Sequence, residues 1–126
     1  MAENGEIFYF RKLEVYKAAR KLTNFVYDLL EKYPQNEMYA LCNQMRRAIV
    51  SVASNIAEGM SRNSDKEKLH FLDISYGSLM EVVCQMDISL DRHYISEEQL
   101  HSFETQAISI QKMLFGLSRK ISERTN

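Results

Sequence analysis

The three histidines are the first candidates for chemistry, because imidazole binds metals and exchanges protons near neutral pH. A di-iron helical bundle needs paired Glu-x-x-His motifs. The spacing occurs in "EKLH" at Glu67 to His70 and again in "EQLH" at Glu98 to His101, whereas no glutamate lies three residues before His93. We interpret all three as isolated surface histidines and expect no metal and no other cofactor.

Cys42 and Cys84 fall within helical patterns and have no paired spacing, which predicts packed, reduced thiols rather than nucleophiles. No Ser-His-Asp or Cys-His arrangement follows from the spacing of the residues. The stretch "EGMSRNS" holds one glycine and follows a helix, unlike a phosphate-binding loop. The sequence therefore predicts a protein that is not an enzyme.

Four charged residues near the middle of the chain could pair with one another. Glu58 stands eleven residues after Arg47, so both fall on roughly the same side of a helix. Glu81 shares a line of its helix with Ile74, Cys84 and Ile88. A carboxylate there should have a partner. We predict that Arg46 or Arg47 bridges to Glu58 or Glu81, within one subunit or between subunits.

Basic side chains are the remaining candidates, because they could bind phosphate. They lie near the start of the chain and around the turn after residue 59: Lys12, Lys17, Arg20, Lys21, Arg62, Lys66 and Lys68. The whole chain has 16 Lys and Arg against 17 Asp and Glu, so its formal charge of -1 gives no global attraction to nucleic acid. The alternative is a solvated surface, since Asp65 and Glu67 interleave the second group.

Four amphipathic helices must position these residues, because apolar side chains recur at alternating steps of four and three. The predicted spans are about 11–32, 37–60, 65–91 and 96–123. Capping boxes are predicted at "SDKE" and "SEEQ", and Asn36 is expected to cap the second helix. Short connections predict antiparallel neighbours. We therefore expect an all-α, antiparallel up-down-up-down four-helix bundle, with one domain over residues 1–126.

The second predicted helix differs from the others because it is apolar or small almost all round. Its core line is expected to hold Met38, Cys42, Met45, Ile49, Val52 and Ile56. A second line, Val50, Ala53 and Ala57, lies on another side. A helix that is apolar all round is usually buried all round, so we expect a second copy of the chain to cover this line. The alternative is that the N-terminal segment "IFYF" covers it.

Three stretches resemble a known family: "FRKLEVYKAARKL", "LCNQMRRAIVSVASNIAEG" and "FLDISYGSLMEVVCQM". In this order they resemble the four-helix-bundle proteins named for the intervening sequences of bacterial 23S rRNA genes, over roughly residues 8–120. The resemblance implies a cytoplasmic bacterial bundle that forms a ring, typically a homopentamer, with no known enzymatic activity. The family's characteristic positions correspond to Arg46, Arg47, Asn55, Glu58, Gly59, Gly77, Ser78 and Glu81. Ala53 stands where many members have proline.

The favoured function is a non-enzymatic homo-oligomeric scaffold or adaptor whose surface docks a protein or a nucleic acid, and the resemblance implies that the oligomer is a pentamer. The alternative is an RNA- or DNA-binding accessory protein, because distant relatives include the nucleic-acid-binding accessory protein of diversity-generating retroelements. A ligand-binding bundle would need a sizeable apolar cavity. We expect a cytoplasmic protein without a membrane partner, since "MAENGEIFYF" has acids where signal peptides have bases.

Overall fold

Four α-helices make up most of residues 7–125, the part of the chain that this computed structural model describes. They are α1 (Glu14–Leu30), α2 (Leu41–Met60), α3 (Asp65–Asp91) and α4 (Glu97–Thr125). Two short 3₁₀ turns, Tyr9–Lys12 and Gln35–Glu37, precede α1 and α2. Residues 7–125 contain no β-strand. The predicted all-α class and the four helices are therefore confirmed.

The second helix begins at Leu41, four residues later than the sequence predicts. The residue before it, Ala40, has a non-helical backbone (φ -120°, ψ -101°) and makes no side-chain cap, so the expected cap at Asn36 is wrong. Met38, expected in the core, is 38% exposed. A residue from the connection between α3 and α4 stabilises the 3₁₀ turn Gln35–Glu37 that precedes α2. The Tyr94 hydroxyl donates a hydrogen bond of 2.6 Å to the Glu37 carboxylate.

The predicted capping box at the start of α4 is confirmed, and of the one predicted at the start of α3 the hydrogen bond to the Ser64 hydroxyl is formed. The Glu67 amide donates to the Ser64 hydroxyl at 3.1 Å. At α4 the Gln99 amide donates to the Ser96 hydroxyl at 3.1 Å, and the Ser96 amide donates back to the Gln99 side chain at 2.9 Å. Both caps satisfy amides that have no partner within the first turn of a helix.

Consecutive helices contact each other, and α1 also contacts α4. Between α2 and α3, the Ser51 and Ser78 hydroxyls are 2.8 Å apart, while Ser89 lies 3.8 Å from the Met45 sulfur. The residue number falls along α2 as it rises along α3, so these two helices run antiparallel. None of the helices within residues 7–125 has the length and apolarity needed to cross a bilayer.

The core face of α3 contains three polar residues among its apolar ones. It consists of Leu72, Ser75, Leu79, Val82, Gln85, Met86 and Ser89. The two serines can be buried because each donates to a carbonyl: Ser75 to Val52 at 2.7 Å, and Ser89 to Gln85 at 2.8 Å. Cys42 is buried as expected, but Cys84 is exposed, so its predicted packing is wrong.

Candidate interaction surfaces

The second apolar line of α2 lies along a groove between α1 and α2. The groove encloses about 730 Å³, and its lining includes Phe10, Tyr16, Val50, Ala53 and Ala57. Val50 is 43% exposed, and the two alanines are half-buried. A single chain therefore leaves this line only partly covered. We refer to this feature as the α1–α2 groove.

The N-terminal segment covers one end of this groove. The 3₁₀ turn Tyr9–Lys12 contacts α2, and the Phe10 ring packs edge-on against Tyr16 with 5.0 Å between centroids. Val50 lies seven residues before Ala57, which places it about 10 Å further along the helix. Val50 stays exposed, so the segment "IFYF" does not shield the whole line.

The predicted bridge from Arg46 or Arg47 to Glu58 is not formed within residues 7–125. Glu58 pairs instead with Arg62, one helical turn later, at 2.6 Å. Arg47 lies eleven residues from Glu58, about 16 Å along the helix, whereas a spacing of four residues brings side chains together. The Arg46 guanidinium lies over the Tyr27 ring at 5.9 Å. Arg47 is exposed and has no side-chain partner in the described chain.

A line of exposed residues runs along α3 on the side away from the core: Ile74, Gly77, Glu81, Cys84 and Ile88. Ile74 is 39% exposed and Ile88 is 44% exposed. The Glu81 carboxylate accepts one hydrogen bond, of 3.3 Å, from an amide one turn later. The expected ion pair of Glu81 with Arg46 or Arg47 is absent within residues 7–125. We refer to these five residues as the α3 outer line.

Asn55 lies at the contact between α2 and α3. Its amide donates to both the carbonyl and the hydroxyl of Ser51, at 2.8 Å each. The Ser51 hydroxyl is in turn 2.8 Å from that of Ser78. These polar groups are satisfied within one chain, so Asn55 and Ser78 stabilise the packing of α2 on α3.

Two of the predicted phosphate-binding side chains hold the turn between α2 and α3. The Arg62 guanidinium lies 4.8 Å above the Phe71 ring. The Lys68 ammonium donates to the Arg62 carbonyl. Gly59 permits the close approach of the two helices, because a Cβ there would stand 2.7 Å from the Cβ of Phe71. Arg62 and Lys68 therefore already have partners within the chain.

The structure brings most of the candidate basic residues to one end of the bundle. Three segments meet there: residues 9–21, 57–68 and 116–124. Arg124 pairs with Asp65 at 2.9 Å, which joins the end of α4 to the start of α3. The three segments contain eleven Lys and Arg residues and five Asp and Glu residues. We refer to this region as the basic end.

Sequence reasoning missed the contribution of α4 to the basic end, namely Arg119, Lys120 and Arg124. The antiparallel arrangement of neighbouring helices would have identified them, because it places the end of the fourth helix beside the start of the first. Lys120 and Glu14 indeed line one cleft. The basic side chains of this end differ in how free they are to bind phosphate, since Lys17 pairs with Glu14 at 3.3 Å.

The opposite end of the bundle carries the opposite charge. Residues 28–37, 41–47 and 84–104 contain eight Asp and Glu residues and four Lys and Arg residues. The segments meet where the Tyr33 and Tyr94 rings lie 5.1 Å apart. The formal charge of -1 thus conceals a separation of charge along the bundle.

Residues 11–116 match the family described as 23S rRNA-intervening sequence protein. The chain belongs to this family. A similar fold occurs in the crystal structure of a protein of unknown function from the S23 ribosomal protein family of Bacteroides thetaiotaomicron. That structure has a TM-score of 0.77 and 19% sequence identity, covering 83% of this chain and 95% of the other. No curated protein matches the chain.

Within residues 7–125, no group of three or more His, Cys, Asp or Glu side chains could hold a metal ion. Burial raises the pKa of the Cys42 thiol, with Arg46 opposing the shift. A thiol with a raised pKa stays protonated at neutral pH and is a poor nucleophile.

Proposed function

We propose that this protein is a non-enzymatic, cytoplasmic scaffold, in which up-down-up-down bundles form a homo-oligomeric ring that docks another macromolecule. The observation that carries the proposal is the α1–α2 groove, where Val50 is 43% exposed in a single chain. Exposed apolar surface next to a groove marks a site of association. The number of five subunits follows from the resemblance to the family.

A second apolar surface supports this proposal. The α3 outer line belongs to a different helix from the groove, and it exposes Ile74 and Ile88. A small monomeric protein gains stability by covering such residues, because each square ångström of apolar area removed from water contributes about 25 cal/mol. Two separate surfaces suit a subunit with two neighbours.

Light scattering coupled to size-exclusion chromatography tests the proposal. We expect a mass of five times the 14.8 kDa of one chain. Val50→Asp should lower this mass, because a carboxylate buried at the contact costs several kcal/mol. Ile108→Asp is the matched control, since Ile108 is exposed on α4 and belongs neither to the lining of the groove nor to the α3 outer line. A wild-type mass of 14.8 kDa would refute the proposal.

The basic end favours a second candidate function, an RNA- or DNA-binding accessory protein. Its eleven basic residues would repeat around a ring, and weak phosphate contacts add through multivalency. The scaffold remains the better-supported proposal, because Lys17, Arg62 and Arg124 already pair with acids inside the chain. Lys68 also donates internally.

Salt dependence tests this second function. A phosphate binder loses affinity for duplex DNA with a slope near -0.9 per neutralised phosphate, on logarithmic scales. The Lys21→Glu and Lys66→Glu variants should weaken retention on immobilised duplex DNA. Lys32→Glu makes the same change at the acidic end and should have little effect. No retention of the wild type at low salt would exclude this function.

A further inference from the structure

We propose that the α3 outer line of one copy packs against α2 of the next copy, with Glu81 opposite Arg47. The inference rests on the proposed function, because it assumes that the chain forms a homo-oligomer. It assigns the two surfaces that meet and the charged pair that sets their register. The occupant of the α1–α2 groove is thus a second copy of this chain.

The spacing of the α3 outer line is that of a helix–helix seam. Ile74, Gly77, Glu81, Cys84 and Ile88 follow one another at steps of three and four. Steps of this kind keep one face of a helix against a partner helix over several turns. The core face of α3 contacts its own bundle, so this second seam has no partner within the described chain. A helix of another copy is the partner that its period fits.

The outward side of α2 has a matching period. Arg47, Val50, Ser54 and Ala57 follow one another at steps of three, four and three. Val50, Ser54 and Ala57 line the α1–α2 groove. Small side chains at these positions let the backbone of a second helix approach closely. The α3 outer line also has small residues on both sides of Glu81.

Placing Glu81 opposite Arg47 also determines which residues of α2 in the next copy lie opposite Ile74 and Ile88. Ile74 and Ile88 lie seven residues before and seven residues after Glu81, so the line is symmetric about the carboxylate. In either orientation of the two helices, one isoleucine falls opposite Ser54 in the groove. The other falls beyond the start of α2, in the segment where Tyr39 is 88% exposed. One register therefore covers exposed apolar residues on both partners.

The charges of the two surfaces are complementary. Residues 71–91 of α3 include four acids and no base: Asp73, Glu81, Asp87 and Asp91. Residues 41–57 of α2 include two bases, Arg46 and Arg47, and no acid. Neither Arg47 nor Glu81 forms an ion pair within residues 7–125. Pairing them across a contact satisfies both, and guanidinium and carboxylate can bond in a bidentate manner.

A contact between different helices of successive copies is head-to-tail, and it builds a ring when the rotation from one copy to the next closes. Each copy that presents α3 to a neighbour still has its own α2 surface free. The next copy occupies that surface, and the series ends when the last copy meets the first. The proposed pairing thus accounts for a closed assembly in which every subunit has the same environment.

Charge reversal tests the pairing. Arg47→Glu and Glu81→Arg should each lower the mass measured by light scattering towards 14.8 kDa. The double variant, Arg47→Glu with Glu81→Arg, should restore the wild-type mass. Matched controls are Lys112→Glu and Asp28→Arg, which reverse exposed charges on α4 and α1. Circular dichroism checks that every variant keeps its helices.

Alkylation of Cys84 provides a second readout, since this thiol lies on the α3 outer line and is exposed in a single chain. Iodoacetamide should react at least about tenfold more slowly with Cys84 in the wild type than in either single variant, because the contact covers it. Buried Cys42 serves as the internal reference.

The outcomes separate this inference from the proposed function. A wild-type oligomer whose mass neither single variant changes would overturn the pairing and leave the oligomer in place. Failure of the double variant to restore the mass would also overturn the pairing. A wild type of 14.8 kDa would refute both proposals, and the exposed lines would then belong to a contact with a different protein.

Discussion

Adding one methyl group to Gly59 should destabilise the protein, although alanine is the better helix former. Gly59 is buried in the last turn of α2, where this helix approaches α3. A Cβ at this position would stand 2.7 Å from the Cβ of Phe71 and 3.4 Å from the carbonyl oxygen of Lys68. The Phe71 atom is bonded to the backbone, so rotation of its side chain cannot relieve the contact.

The cost follows from the separation that the two helices would need. Carbon atoms in contact normally stay about 3.5 to 4.0 Å apart, so α2 and α3 must separate locally by about 1 Å. Overpacking of this kind costs about 1 to 3 kcal/mol. Higher helix propensity returns up to about 1 kcal/mol. The expected net effect of Gly59→Ala is a loss of about 1 kcal/mol in the free energy of unfolding.

Gly116→Ala is the matched control, because no heavy atom lies within 4 Å of a Cβ built on Gly116. It should stabilise α4 by up to about 1 kcal/mol. The two variants should then differ by about 2 kcal/mol, or roughly 1 M in the midpoint of urea unfolding. Both are measured at the same protein concentration, since association adds to stability. If Gly59→Ala raises the midpoint as Gly116→Ala does, the packing argument is refuted.

Three further results are expected. Burial raises the pKa of the Tyr33 phenol above its ordinary value of 10.0, and the nearby Ser89 hydroxyl opposes the shift. The phenol oxygen has no hydrogen-bond partner of good geometry within the described residues. The stability from this group is complete below pH 10.0 and declines above it, because the unfolded phenol ionises first. The melting temperature should therefore fall less between pH 8 and pH 11 for Tyr33→Phe than for the wild type. Equal falls in melting temperature would contradict this expectation. Ser75→Ala removes a buried hydrogen bond to the Val52 carbonyl and should cost about 1 kcal/mol in urea unfolding, whereas Thr105→Ala on the exposed side of α4 should cost less. Mass spectrometry after iodoacetamide treatment should find Cys42 modified only in denaturant, and rapid modification of the folded protein would show that the thiol is not enclosed.

The spacing of apolar residues predicts the buried face of a helix correctly where that face contains few polar residues. In α4, Phe103, Ala107, Ile110, Leu114 and Ile121 are buried as the spacing predicts. The sequences of the two capping boxes likewise determined where α3 and α4 begin. Local sequence was sufficient in these cases, because the two residues of each cap lie within one turn and the apolar spacing alone defines the face of α4 that turns to the core.

The orientation of α3 could not be predicted in this way. Hydrophobic period treats serine as a surface residue, whereas Ser75 and Ser89 are buried because carbonyl oxygens accept their hydroxyl hydrogens. In this orientation of α3, Glu81 and Cys84 are exposed. The pairing of Glu58 with Arg62 differs from the predicted one because Arg47 shares a side of the helix with Glu58 but lies eleven residues away, whereas Arg62 lies four residues away.

The basic end required knowledge of the topology. Arg119, Lys120 and Arg124 lie far in sequence from the bases of α1 and of the α2–α3 turn. They come together only when the helices pack, as the pair that joins Arg124 at the end of α4 to Asp65 at the start of α3 demonstrates. Net charge is a sum over the whole chain, so it contains no information about this separation.

The separation of charge gives each bundle a large electric dipole along its long axis. A polyanion nearby would exert a torque on such a molecule and turn one particular end towards itself before any contact forms. Copies aligned side by side would add their dipoles, and the assembly would have one positive and one negative face. Such faces attract one another, so at low ionic strength assemblies should stack front to back, and added salt should disperse the stacks by screening.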